Sequence, residues 1–152
     1  EQGSFALTVF FSIGIFMTYI GGLLGDKYGP IKIIRLSLLV WLPAMFLLTE
    51  VPTFSPLIMM PVAYLLLLMI GAAKAISYSP VIVLGQTYLA KSIGFASGIT
   101  LGVSQTIGGV IAPVVGNLAD TYSLPVAMMT LVPFLVMGLG ASLILKDPKK
   151  LQ

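Results

Sequence analysis

Long uncharged stretches, separated by very few charged residues, are the feature that most constrains this chain. Only 9% of its 152 residues are charged and 58% are hydrophobic, whereas about a quarter of the residues in a soluble domain are charged. A chain this apolar cannot cover a water-exposed surface, which excludes a soluble globular domain, a disordered chain and a nucleic-acid-binding protein. The uncharged stretches run over residues 2–25, 36–49, 51–73, 75–90, 92–119 and 121–145.

The chain lacks the residues on which most site chemistry depends. It has no cysteine and no histidine, so disulfides, thiolate chemistry, the usual zinc sites and the commonest general base are excluded. None of the five acidic residues lies inside an apolar stretch, and Asp26, Glu50 and Asp120 fall between these stretches. We therefore predict no metal, no cofactor and no enzyme activity, and we interpret the net charge of +3 as a record of membrane topology.

A transmembrane helix needs about 20 apolar residues to cross about 30 Å of hydrocarbon. We predict one domain over residues 1–152. The side chain of Arg35, next to the second span, is predicted to snorkel to the membrane interface. The region 51–90 is interrupted only by Lys74, so it is either one long helix or two spans with Lys74 in a loop. With one helix there, the predicted spans are about 4–25, 33–49, 60–88, 94–117 and 125–145.

The distribution of basic residues decides between five and six spans, because cytoplasmic loops are enriched in Lys and Arg. Six spans would divide the loop cations equally between the two sides. Five spans place them all on one side, with the N-terminus outside, the C-terminus in the cytoplasm and Lys74 inside the membrane. The cations gathered in this way are Lys27, Lys32, Arg35, Lys91, Lys146, Lys149 and Lys150.

Polar side chains inside the spans are concentrated on the first, third and fourth helices, which predicts that these three face a wet cavity. Ser12 and Tyr19 share one face of the first helix, and Gln105 lies on the fourth. Lys74, Ser77 and Tyr78 share one face of the third. The simpler alternative is that serine and threonine hydroxyls only bond to carbonyls of their own helices or hold helices together.

Lys74 is the most informative single residue. A lysine at the centre of a membrane helix costs about 3 kcal/mol on insertion scales, and no acidic residue lies inside a predicted span. Its charge is therefore compensated by another polypeptide segment, by water and an anionic ligand, or by loss of the proton on desolvation. Snorkelling is the other alternative, since Lys74 precedes Lys91 by about 25 Å of helix.

Small residues repeat every four positions along the fourth span, on two faces. Such repeats let helix backbones approach closely, so we predict that this helix packs tightly against neighbours. The same glycines also permit bending or sliding, and the sequence does not separate these functions. The residues are Gly94, Gly98 and Gly102 on one face and Gly108, Ala112 and Gly116 on the other.

The segment between the first two spans carries a recognisable motif. It reads GLLGDKYGPIK from Gly22 to Lys32 and resembles the loop signature G-x-L-a-D-R/K-x-G-R-K of the major facilitator superfamily. Pro30 and Ile31 replace two basic positions of the signature, and Lys32 comes one residue late. The resemblance implies that a gating loop on the cytoplasmic side is formed by Gly22, Asp26, Lys27, Gly29 and Lys32.

The resemblance also implies a fold and a function. The chain would be an all-α membrane protein of five transmembrane helices, helices eight to twelve of a twelve-helix major facilitator bundle in the plasma (inner) membrane. The stretches 79–86, 94–98, 108–109 and 112–120 look most like the fosmidomycin-resistance branch of drug efflux proteins. Six residues would then line the path of a small organic solute or drug: Lys74, Tyr78, Ser77, Gln105, Tyr19 and Ser12.

By the same resemblance the protein is a secondary transporter that works by alternating access, with proton-coupled efflux as the expected mode. Its partners would be the lipid bilayer, the N-terminal half of the same transporter and a small-molecule substrate. The alternative is a membrane scaffold or assembly subunit that does not transport and oligomerises through the glycine-rich helix faces.

Overall fold

The computed structural model describes residues 2–51 and 56–145. Within these residues all the regular structure is helical. A 3₁₀ turn at Ala90–Ser92 precedes α4, and a π-helical turn at Ile99–Val103 joins α4 to α5. The α-helices are α1 (Gln2–Tyr28), α2 (Pro30–Glu50), α3 (Pro56–Tyr88), α4 (Ile93–Gly98), α5 (Ser104–Thr121), α6 (Leu124–Met129) and α7 (Val132–Ile144).

These elements make five long helical segments, which confirms the predicted all-α architecture. The fourth segment runs over Ala90–Thr121 and the fifth over Leu124–Ile144. Four segments of the described residues are long and apolar enough to cross a membrane: these two, together with Pro30–Glu50 and Leu57–Tyr88. The remaining helix, α1, has 27 residues and is about 40 Å long at the usual rise per residue. The architecture is consistent with part of a major facilitator bundle.

Helix α3 is continuous and central. It runs without a break from Pro56 to Tyr88, so Lys74 lies near the middle of one helix and not in a loop between two spans. Pro61 and Pro80 lie inside it, which membrane helices tolerate when neighbouring groups satisfy the freed carbonyls. Helix α3 packs against α1, α2 and α4, and so positions the residues of both clefts described below.

The buried core lies between α2, α3 and the fifth segment. Ala44 and Met45 of α2 pack with Leu66 and Ile70 of α3, and side chains of the fifth segment close this cluster. A second cluster joins Ile31 and Ile34, at the start of α2, to Leu84 near the end of α3. The start of α2 and the end of α3 therefore lie at the same end of the bundle.

Glycines bring α1 unusually close to α3. A Cβ atom on Gly21 would collide with the backbone of Ile76, and one on Gly25 would lie 3.2 Å from Cγ of Pro80. Gly22 faces the hydroxyl of Ser79 in the same way, at 3.2 Å. The motif glycines at positions 22 and 25 therefore serve helix packing, because they remove the side chains that would hold the two backbones apart.

The predicted polar turn between the first two helices is much shorter than its sequence indicates. Helix α1 continues through Asp26 and Lys27 to Tyr28, and only Gly29 separates it from α2. Gly29 has φ 95°, and its N–H donates to the Gly25 carbonyl at 2.9 Å, which is the glycine cap that ends many helices. Pro30 then begins α2, a position that suits its fixed φ.

Arg35, which the sequence predicts to snorkel to the interface, binds the C-terminal end of another helix. Its guanidinium is half-buried and donates from Nε at 3.0 Å and Nη2 at 2.6 Å to the carbonyl of Ser142. Further bonds from Nη2 reach the carbonyls of Leu143 and Leu145. These are carbonyls at the C-terminal end of α7 that lack helical partners, so the cation both satisfies them and lies at the negative end of the helix dipole.

The glycine faces of the fourth segment are not packed within the described part of the chain. A Cβ atom built on any of five of its glycines would meet nothing within 4 Å, and Ala112 is exposed. Tight packing of this helix therefore stays a prediction for contacts with polypeptide beyond the described residues. The five glycines are Gly94, Gly98, Gly102, Gly108 and Gly116.

Two other expectations fall outside the described residues. The predicted connection between the second and third spans includes residues 52–55, which the structure does not describe. The same holds for the basic residues Lys146, Lys149 and Lys150.

Candidate functional site

An apolar cleft lies between α1 and α3. Its volume is about 480 Å³, within the usual range of ligand pockets. Each helix contributes residues at spacing i, i+3, i+4 and i+7, which is the spacing of one helical face. The lining residues are Phe11, Gly14, Ile15 and Thr18 from α1, and Gly71, Lys74, Ala75 and Tyr78 from α3.

A second, more polar cleft lies between α3 and the fourth segment. Its volume is about 410 Å³. The fourth segment contributes residues both from its π-helical turn and from the beginning of α5. The lining residues are Lys74, Ser77, Tyr78, Val81, Ile82, Thr100, Leu101, Ser104, Gln105 and Gly108.

Lys74 and Tyr78 are shared by the two clefts. They lie one helical turn apart on α3 and line the apolar cleft on one side and the polar cleft on the other. Both side chains are exposed, and no acidic residue is among the described residues that line either cleft. The two clefts therefore meet at a cation and a phenol, with no negative charge from this part of the chain beside them.

The hydroxyls of the clefts already donate their protons to helix carbonyls. Ser77 Oγ donates to the Lys74 carbonyl at 2.9 Å, and Ser104 Oγ to the Thr100 carbonyl at 2.6 Å. Thr18 and Thr100 donate in the same way to carbonyls four residues earlier. The hydroxyl protons of these residues therefore bond to carbonyls of their own helices, as the simpler alternative predicted. Each hydroxyl oxygen can still accept a hydrogen bond.

A π-helical turn borders the polar cleft. It spans Ile99–Val103, and two of its residues, Thr100 and Leu101, line the cleft. One turn earlier, Gln86 Nε2 donates to Ser97 Oγ at 2.9 Å and so ties α3 to α4. Single π turns inside helices occur frequently at functional sites, and this one places a local irregularity of the backbone opposite the Lys74 helix.

The structure brings four of the six predicted path residues together. Lys74, Ser77, Tyr78 and Gln105 line the polar cleft. Ser12 and Tyr19 line neither cleft, and Tyr19 is 70% exposed. Their role on the substrate path stays a prediction that these clefts do not support.

Sequence reasoning missed the residues of α1 that do line a cleft. It followed polar side chains and therefore chose the face of Ser12 and Tyr19. The face that meets α3 is mainly apolar, with Phe11, Ile15 and Thr18. The available signal was the small residue Gly14 beside Thr18, four positions apart, on the side of α1 that continues toward Gly21 and Gly25.

The predicted gating residues lie at the end of the bundle where α1 turns into α2. Asp26, Lys27 and Lys32 are exposed there, and Lys27 Nζ lies 5.2 Å from the ring centroid of Tyr28, within cation–π distance. Because the start of α2 packs on the end of α3, Lys27, Lys32, Arg35 and Lys91 gather at one end of the bundle. Their function as a gate stays a prediction.

Comparison with known proteins identifies one relative over almost the whole chain. The chain is 31% identical over 149 residues to an uncharacterised MFS-type transporter of Bacillus subtilis (strain 168), YfnC. The match covers 98% of the chain but 35% of that relative, so the chain spans about a third of the relative's length. No protein-family model matches the chain, and no solved structure matches it.

Proposed function

We propose that this chain is the C-terminal part of a secondary active transporter of the major facilitator superfamily. The observation that carries the proposal is the similarity to a transporter of that type over 98% of the chain. The motif between α1 and α2, the five long helices and a cationic residue midway along the central helix support it independently. The transporter moves a small organic solute through the membrane and is not an enzyme.

The two clefts supply the substrate path in this proposal. Transporters of this kind bind solute near the bilayer midplane and expose the site to each side in turn. Lys74 and Tyr78 lie near the middle of α3, where both clefts meet, and so at the depth where such a site is expected. Residues from the rest of the transporter complete the walls on the open sides of the clefts.

The driving force in the proposal is proton exchange, with efflux as the direction. The described helices hold Asp26, Glu50 and Asp120 near their ends and no carboxylate near their middles. The proposal therefore places the proton-carrying group in the rest of the transporter. Efflux of drug-like solutes belongs to the proposal because stretches of the chain between residues 79 and 120 resemble the fosmidomycin-resistance branch.

Reconstituted transport tests the proposal. The full-length protein is placed in proteoliposomes carrying an imposed pH gradient and an internal pH-sensitive dye. A panel of anionic, neutral and cationic organic solutes is then added. We expect at least one solute to dissipate the gradient at a saturable rate, and protein-free liposomes to show no saturable component. Solute movement that saturates but ignores the pH gradient contradicts proton coupling; a complete lack of carrier-dependent movement across the panel contradicts the transporter.

The open glycine faces of the fourth segment favour one alternative, a scaffold that oligomerises through them. A Cβ atom built on Gly94, Gly98 or Gly102 would meet nothing within 4 Å in the described residues, so these faces have room for another helix. A transporter covers these faces with helices of its own chain. Cross-linking from a cysteine at Ile99 therefore distinguishes the two: products within one polypeptide support the transporter, and products between copies support the scaffold.

The proposed orientation is an outer N-terminus, a cytoplasmic C-terminus and a plasma-membrane location. It predicts that a cysteine at Lys91, which lies at the basic end of the bundle, reacts with a membrane-impermeant maleimide only after the cells are permeabilised. A cysteine at Asp120, near the other end of the fourth segment, is expected to react in intact cells. This chain has no native cysteine, so only cysteines elsewhere in the parent need replacing. Labelling of both positions from one side would refute the topology.

A further inference from the structure

We infer that the paired clefts bind an amphipathic organic anion, whose charged group lies at Lys74 and whose apolar body occupies the cleft between α1 and α3. This inference rests on the proposed function and names the class of substrate. It is carried by the position of one cation, by the asymmetry of the two clefts, and by the donors that remain free there.

The charge of the site selects an anion. Lys74 lines both clefts, and no acidic residue is among the described residues lining them. In the low dielectric of a membrane protein interior, attraction between opposite charges is far stronger than in water. A cationic solute would be repelled by the same charge, and a neutral solute would leave the ammonium without a counter-charge.

The asymmetry of the clefts selects an amphipathic shape. On the α1 side the walls include Phe11, Ile15 and Ala75, which present ring and methyl groups to a ligand. On the other side the walls include Ser104 and Gln105. A ligand centred on Lys74 therefore meets an almost wholly apolar surface in one direction and a more polar surface in the other. The volume of about 480 Å³ on the apolar side accommodates a ligand of drug-like size.

The hydrogen-bond donors of the site identify what holds the anion. The hydroxyls of Ser77 and Ser104 have already given their single protons to carbonyls. Donation to an anion is left to the ammonium of Lys74, the phenol of Tyr78 and the side-chain amide of Gln105, all of which line the polar cleft. Three donors that line one cleft from two helices suit a carboxylate, phosphonate or sulfonate, whose oxygens accept several bonds at once.

A matched pair of probes tests the inference on the full-length protein in lipid nanodiscs. The anion is 8-anilino-1-naphthalenesulfonate, and its neutral counterpart is N-phenyl-1-naphthylamine, which lacks only the sulfonate. Saturable binding is measured by isothermal titration, with empty nanodiscs subtracted. We expect the sulfonate to bind at least about tenfold more tightly than the amine, since a charge-assisted hydrogen bond is worth roughly that or more.

Variants assign the preference to the site. Lys74→Gln is expected to weaken sulfonate binding about tenfold or more and to leave the neutral amine unchanged, while Lys74→Arg keeps most of the preference. Lys91→Gln, an exposed lysine outside the clefts, is the matched control and should change neither affinity. If Lys74→Gln does not fold, Tyr78→Phe and Gln105→Leu replace it, each with a smaller loss confined to the sulfonate.

Three results would overturn the inference. In the first, the sulfonate does not bind, or binds no more tightly than the amine. In the second, the Lys74→Gln variant still prefers the sulfonate. In the third, the Lys74→Gln variant binds an organic cation more tightly than the wild type does. The last would show that a carboxylate from the rest of the transporter neutralises Lys74. None of these results touches the proposed function, because a transporter that moves neutral or cationic solutes would still dissipate the pH gradient in the liposome assay.

Discussion

Replacing Gly21 by valine is expected to prevent the full-length protein from accumulating as a folded, monodisperse species in detergent. The Cβ atom alone would collide with the backbone of Ile76, and backbone cannot move aside as a flexible side chain does. Overpacking a core usually costs about 1–3 kcal/mol, and separating α1 from α3 along their shared face would cost more. Fluorescence-detected size-exclusion chromatography with a temperature series measures the loss.

Gly138→Val in α7 is the matched control for this substitution. It makes the same chemical change within a helix, but the added Cβ would meet nothing within 4 Å. We expect its melting temperature to stay close to that of the wild type. A Gly21→Val protein as stable as Gly138→Val would show that α1 and α3 are not in close contact in the membrane.

Replacing Arg35 by methionine is expected to lower the free energy of unfolding by about 2–3 kcal/mol, the range for losing hydrogen bonds from a charged group. Methionine keeps the length and apolar stem of the side chain but cannot donate to the carbonyls of Ser142, Leu143 and Leu145. The end of α7 would then lose both its hydrogen bonds and the cation at its negative end. Thermal unfolding of the full-length protein measures the effect.

Two further variants separate this cap from a general effect of positive charge. Lys32→Met removes an exposed cation one turn away and is expected to leave the melting temperature nearly unchanged, because exposed charges contribute little. Arg35→Lys should fall between Arg35→Met and the wild type, since an ammonium lacks the planar fork of the guanidinium. Equal melting temperatures for Arg35→Met and Lys32→Met would contradict the cap.

The glycines show how far local sequence pattern reaches. Repeats in the fourth segment predicted tight packing there, yet these faces are open in the described residues, whereas Gly21 and Gly25 of α1 make the close approach to α3. A small residue shows where another helix is able to approach closely, but it does not show which helix packs there. The motif between the first two helices, predicted to be a loop, is likewise mostly helix, because one glycine with positive φ is enough to reverse the chain.

The candidate site was predictable on α3 and not on α1. Lys74 and Tyr78 stood out because polar side chains in an apolar helix are costly and seldom placed without a function. On α1 the polar residues Ser12 and Tyr19 drew attention, but Phe11 and Ile15 line the cleft. Apolar residues that line a cleft cannot be recognised from the sequence of a chain whose helices are apolar on every face.

The sequence by itself determined the helical architecture, the number of long helices and the position of Lys74 in the middle of one of them. A bilayer requires each spanning segment to satisfy its backbone internally, so the length of an apolar stretch specifies a helix almost directly. Only the tertiary structure decided which faces meet, that Arg35 binds the end of α7, and that the two clefts converge on Lys74 and Tyr78. In water the buried face of a helix is also its apolar face, but in lipid both the packed and the lipid-facing sides are apolar, so periodicity cannot distinguish them.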